Sequence, residues 1–189
     1  MALFSIAYKI TKGNEGIYSN DANDLGGETV YGIARKYNAD WKGWPIVDKI
    51  RGQQINMSVL IQKEPLLLTY AQEFYKADYW DTLRLDLVNN QKIANKLFDM
   101  AVNIGVGRVK VWLQEVLNVL NDRGRIYPDI KVDGSIGKVT IETLNKNPKP
   151  ENIINALTAL QGAHYIQRAK DNPSQERFLN GWLIRAFSV

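Results

Sequence analysis

The sequence has no cysteine and a single histidine, His164, among its 189 residues. The first absence excludes disulfides, thiolate catalysis and sulfur-ligated metals, and the second excludes a multi-histidine metal cage. No metal and no cofactor is implied. No apolar run approaches the roughly 18 residues that a membrane-spanning helix requires, so stable membrane insertion is not expected. Met1 to Tyr8 is a short apolar stretch with no basic residues before it and no small-residue cleavage signal behind it. It does not read as a signal peptide, which gives a cytoplasmic expectation until something releases the protein. A clustered basic face is also missing: 24 Lys and Arg stand among 20 Asp and Glu, a net +4. Nucleic acid is therefore not an expected partner. Strand signals are scarce.

What is present is an ordinary globular composition, 45% hydrophobic and 23% charged, in a chain long enough to bury roughly 70% of its unfolded surface. Helical periodicity dominates. Leu67, Tyr70, Ala71, Phe74, Tyr75 and Tyr79 fall at three- and four-residue steps between Pro65 and Trp80, which draws one buried stripe. Ile93, Ala94, Leu97, Phe98, Ala101 and Val102 draw a second, and Val109, Trp112, Leu113, Val116, Leu117 and Leu120 a third. A further helix is expected from Glu151 to about Ala169, entered through the breakers Pro148 and Pro150. The stretch Asn121 to Gly137 reads as a linker. The fold class expected is mainly α, a helical bundle with a short irregular or β-hairpin loop near residues 16–31. Asn89 and Asn90 interrupt the pattern, so two lobes are expected, 1–90 and 91–189, packed as one compact unit.

The chemistry concentrates after the first helix. Phe4, Ala7 and Tyr8 share one helical face, and Gly13 or Gly16 would end that helix. Glu15 then stands at a helix C-terminus, where the macrodipole and any burial both oppose ionisation and raise its pKa. Such a carboxyl holds a proton at neutral pH and can give it to a departing sugar oxygen. The loop after it, with Asn20, Asp21, Asn23, Asp24, Gly26 and Gly27, favours tight turns. Asp24 lies nine positions after Glu15 and Thr29 fourteen, far enough for a hairpin to return a carboxylate and a hydroxyl opposite the first acid. Spacing equally allows Asp21 or Glu28 as the second acid, or a plain solvated turn.

The string Glu15 to Ile33, EGIYSNDANDLGGETVYGI, resembles the signature of glycoside hydrolase family 108, the bacterial and phage N-acetylmuramidases also called secretion activator proteins. Glu15, Gly16, Tyr18, Asn20, Asp21, Asp24, Gly26, Gly27, Thr29, Gly32 and Ile33 match it, while Ile17 stands where a second glycine is usual. Asp78 to Asp81 resembles the family's helix-ending Tyr-Trp-Asp, and Phe98 to Gly105 the opening of its second half. Trp112-Leu113-Gln114, Val132 to Gly137 with Thr140, and Phe178, Gly181, Trp182 and Arg185 look like the predicted peptidoglycan-binding domain that commonly follows. The order Glu, nine-on Asp, then Thr is also similar to phage-type lysozymes, whose Thr lies one residue further along.

The resemblance implies a lysozyme-like fold, Glu15 as essential acid, and hydrolysis of the β-1,4 bond between N-acetylmuramic acid and N-acetylglucosamine in peptidoglycan, with Asp24 and Thr29 assisting. Carboxyl groups about 5 Å apart would mean retention of configuration, and about 6.5 to 9.5 Å inversion. Tyr18, Tyr31, Trp41 and Trp44 have the flat faces that stack on sugars, or they pack internally. Asn103 would hydrogen-bond an N-acetyl group or cap its helix. His164 is expected to be a packed or surface imidazole, and Trp80 and Trp112 core anchors. The partner implied is the peptidoglycan glycan strand, and a holin would release the enzyme functionally, without physical association, as for an endolysin. Two other classes stay open: a non-catalytic peptidoglycan-binding or secretion-accessory protein, and a lytic transglycosylase.

Overall fold

The computed structural model describes residues 1–12, 16–20, 27–53 and 55–189. Among the described residues the first helix is α1, Phe4–Lys12, followed by three two-residue strands, β1 Tyr18–Ser19, β2 Thr29–Val30 and β3 Ile33–Ala34. Then come α2 Trp44–Ile50, α3 Met57–Gln62 and α4 Pro65–Tyr75, the last prolonged by a π-helical turn over Lys76–Trp80. Among the described residues the remaining α-helices are α5 Gln91–Ile104, α6 Val106–Val119, α7 Lys138–Lys146, α8 Pro150–Asp171 and α9 Glu176–Ser188. The fold is mainly α and lysozyme-like.

Contacts divide the chain into two units, Met1–Thr11 with Tyr79–Val189, and Lys12–Asp78. This grouping differs from a single cut near residue 90 because the amino-terminal segment is tied to residues 80–98. The Ala2 amide donates to the Val88 carbonyl at 2.8 Å, and the Leu3 amide to Gln91 Oε1 at 2.7 Å. Phe4 packs edge-on against both Trp80 and Phe98, at centroid distances of 5.7 Å. Trp80 is fully buried, as expected of an anchor, and its indole donates to Asp86 at 2.7 Å.

In the larger unit α5 is the core helix. Ten of its residues are buried, including the charged Lys96 and Asp99, so it is enclosed all round rather than on one stripe. Asn90 caps its start by accepting from the Ile93 amide. Gly105, at φ 90°, allows the chain to leave α5 and enter α6 at once. Helix α6 packs on α5 and α8, and α8 packs on α9. The segment between α6 and α7 is held by Gln114, whose Oε1 accepts from the Asp133 and Gly134 amides at 3.1 and 2.8 Å. Its Nε2 donates to Asp133 Oδ1, and this bond, with one from the Ser135 amide, holds the Asp133 carboxyl below the usual range. The Gln and Asp-Gly-Ser residues are thus one clamp.

In the smaller unit β1 pairs antiparallel with β2, and β2 with β3. Tyr31 and Gly32, at φ 49° and 78°, form the two-residue turn between β2 and β3. Positive φ at both turn positions matches the twist of a tight hairpin, and glycine meets that demand without strain. Val30 and Ile33 point into the core and are essentially unexposed.

Candidate active site

The expected acid Glu15 and its partner Asp24 lie outside the described residues, as does Asp21. The frame around them is described. Helix α1 ends at Lys12, and the two strands that flank residues 21–26 pair as Tyr18 with Val30 and Ser19 with Thr29. The antiparallel pair brings Tyr18, Thr29 and Tyr31 onto one small sheet and its turn. Asn103 belongs to the other unit, on α5.

Thr29 is half-buried, and its hydroxyl donates to the Gly27 carbonyl at 3.2 Å. Tyr31 is half-buried; its amide donates to the Ile17 carbonyl at 2.9 Å, and its own carbonyl accepts from the Tyr75 hydroxyl at 3.2 Å. Burial pushes the Tyr31 phenol pKa up. The Tyr18 hydroxyl donates to Glu28 Oε1 at 3.1 Å, and burial, then this bond, raise its pKa. Asn103 Nδ2 donates to the Asp99 carbonyl one turn back at 2.6 Å.

Glu28 carries the electrostatics of the sheet. It is 9% exposed, and its carboxylate accepts from Arg51 Nη2 at 2.6 and 2.7 Å and from Arg35 Nε at 2.7 Å. Arg35 also reaches Asp48 on α2 at 2.6 and 3.1 Å, and its guanidinium holds the Asp48 carboxyl below the usual range. With both oxygens engaged by guanidinium donors, Glu28 is a fastener between β2, β3 and α2, and it offers no free lone-pair direction comparable to that of a general base. The sequence shows none of this, because the partners are 7 and 23 residues away and follow no period.

Trp41 and Trp44, weighed as sugar platforms, are buried at 6% and 2% exposure and pack edge-on at 5.0 Å. Their indoles donate to the Tyr70 and Asn38 carbonyls. They are core. Trp112 is the reverse case: expected as a core anchor, it is only half-buried, with the Arg108 guanidinium 6.0 Å from its ring centroid. Its position on α6 leaves one face of the indole toward solvent-exposed Arg108 instead of the interior.

The family model "Glycosyl hydrolase 108" matches residues 8–105, and "Predicted Peptidoglycan domain" matches residues 108–187. Comparison with curated proteins gives no match. The solved structure of Brucella abortus SagA is similar over 97% of this chain and 88% of that one, at 24% identity and a TM-score of 0.64, a likeness of fold. A glycoside hydrolase domain joined to a peptidoglycan domain makes the protein a peptidoglycan hydrolase in general terms. The chain belongs to the glycosyl hydrolase 108 family.

Proposed function

We propose that the protein is an N-acetylmuramidase that cleaves the β-1,4 bond between N-acetylmuramic acid and N-acetylglucosamine. The observation that carries the reading is the family match over residues 8–105, which includes the whole string Glu15 to Ile33. Glu15 is the general acid that protonates the leaving oxygen. Asp24 stabilises the oxocarbenium-like state or activates water, and the Thr29 hydroxyl positions that water. The sheet of β1, β2 and β3, fastened through Glu28, supports this reading by fixing Thr29 on a rigid element at the edge of the acidic loop. Residues 1–90 supply the chemistry and 91–189 the grip on the wall. The biological role that fits is an endolysin kept in the cytoplasm until a holin opens the membrane.

Mass spectrometry of digested peptidoglycan tests the reaction class. The reading predicts fragments with a new N-acetylmuramic acid reducing end and one water added per cut. Products of 1,6-anhydro type would make the enzyme a lytic transglycosylase, and no new ends at all would make it a binding or accessory protein.

A further inference from the structure

Three helices of the larger unit each present a pair of side chains at i and i+4 on a shared surface: Arg108 and Trp112 on α6, His164 and Arg168 on α8, Phe178 and Trp182 on α9. The rings form a continuous series. Trp112 meets His164 at 6.0 Å, His164 meets Tyr165 at 6.0 Å, Tyr165 meets Trp182 at 5.3 Å, and Trp182 stacks on Phe178 at 5.9 Å and 25°. Tyr165 is buried and secures the middle, whereas Trp112, His164 and Trp182 are half-buried and Phe178 is 45% exposed.

Guanidiniums lie over these rings. Arg168 sits 5.1 Å from the Trp182 centroid, Arg177 4.6 Å from Phe178, and Arg108 6.0 Å from Trp112. All three arginines are exposed. Among the described residues none of them pairs with a carboxylate: Arg108 donates to the Ile104 carbonyl and approaches His164 Nε2, and Arg168 donates to Gln175 Oε1. Burial first, then Arg108 and Arg168, lower the His164 pKa, so the imidazole adds no charge of its own at neutral pH. The patch therefore offers flat apolar faces and cations whose anions are not supplied by the described residues.

We propose that this aromatic and arginine track is the glycan-gripping surface of residues 108–187, with sugar faces lying on Trp182, Phe178 and Trp112. Arg108, Arg168 and Arg177 take the carboxylates of the muramyl peptide arms. The proposal rests on the reading of this segment as a peptidoglycan-binding one, and it adds the place and the chemistry. A polymer with both apolar sugar faces and regularly spaced carboxylates fits the track, whereas a neutral glycan satisfies only the rings and a simple polyanion only the arginines.

The test is co-sedimentation of the full chain, carrying Glu15→Gln so that the polymer stays intact, with insoluble peptidoglycan and with chitin. Phe178→Ala and the triple variant Arg108→Gln, Arg168→Gln, Arg177→Gln change exposed side chains, and circular dichroism melting confirms that each folds. Each is expected to weaken peptidoglycan binding about tenfold or more, with chitin bound far more weakly than peptidoglycan by the parent. Soluble muropeptides should displace the parent, and wall teichoic acid, a phosphate polyanion without muramyl arms, should not. Unchanged sedimentation of both variants, equal retention on chitin, equal displacement by teichoic acid, or no sedimentation of the parent overturns the proposal. Reducing-end release by the Glu15 protein is measured separately, so a failure of the hydrolytic reading is seen on its own.

Discussion

Arg51, the residue that ends α2, closes on Glu28 with one nitrogen 2.6 and 2.7 Å from the two carboxylate oxygens. The pair joins the residue that follows α2 to the one that precedes β2, and Arg35, directly after β3, adds a bond from Nε to the second oxygen at 2.7 Å. Three short strands have little ladder of their own, so side-chain fasteners decide whether the sheet stands.

Replacing Glu28 separates fastening from catalysis. Glu28→Gln leaves two guanidiniums facing a neutral amide, and because both arginines are partly exposed the expected cost is about 1 to 3 kcal/mol rather than that of a fully buried pair. Thermal unfolding should shift down by several degrees. Peptidoglycan clearing by the folded fraction should fall by less than about tenfold, on the order of 1.4 kcal/mol in the barrier. A loss as deep as that of Asp24→Asn, with an unchanged melting temperature, would make Glu28 the second acid.

Gly43 gives a purely steric prediction. A Cβ built there meets Trp41 Cη2 at 2.2 Å and Cζ3 at 2.4 Å, while φ at Gly43 is an ordinary −76°. Trp41 is buried against Trp44, so the ring has nowhere to go. Gly43→Ala is expected to destabilise by about 1 to 3 kcal/mol, read as a lower urea midpoint with an unchanged m-value. An unchanged midpoint would mean that the Trp41 ring moves freely.

Lys96 sets a pH dependence. It is fully buried, donates to the Ala186 carbonyl, and burial lowers its pKa from 10.5 to about 8, against the attraction of Asp99. Below pH 8 folded and unfolded chains both carry the proton, and the cost of the buried ammonium is fully present. Between about 8 and 10.5 the folded chain has released the proton and the unfolded chain has kept it, so this group makes stability rise with pH, by on the order of 3 kcal/mol across the window. Urea unfolding from pH 7 to 10.5 should show that rise in the parent and a flatter profile in Lys96→Met. Identical profiles would contradict the assignment.

The sequence was most readable where burial is one-sided. The stripes through Tyr70 to Tyr75 and Val109 to Leu117 lie on α4 and α6 as their spacing predicts. Reading weakens where tertiary contacts override local pattern. Lys96 and Asp99 look like surface residues of α5, yet both are buried, Asp99 because Arg185 on α9 donates to it at 3.0 Å from 86 residues away. The β2–β3 hairpin is hidden because its first turn position is Tyr31, a residue that seldom takes positive φ, held there with its carbonyl bonded to Tyr75. At the candidate site the acidic motif was legible from Glu15 onward, whereas the use of Tyr18 and Glu28 as partners depends on Arg35 and Arg51, which no spacing announces.

In the proposed reaction the Glu15 carboxyl donates the proton to the leaving oxygen. Turbidity clearing of purified peptidoglycan by the unmutated protein and by Glu15→Gln, matched for folding and for wall binding, measures it directly. The substitution is expected to lower the clearing rate by about 10² to 10⁴-fold while sedimentation with peptidoglycan is retained. Clearing at the same rate by the two proteins would contradict it.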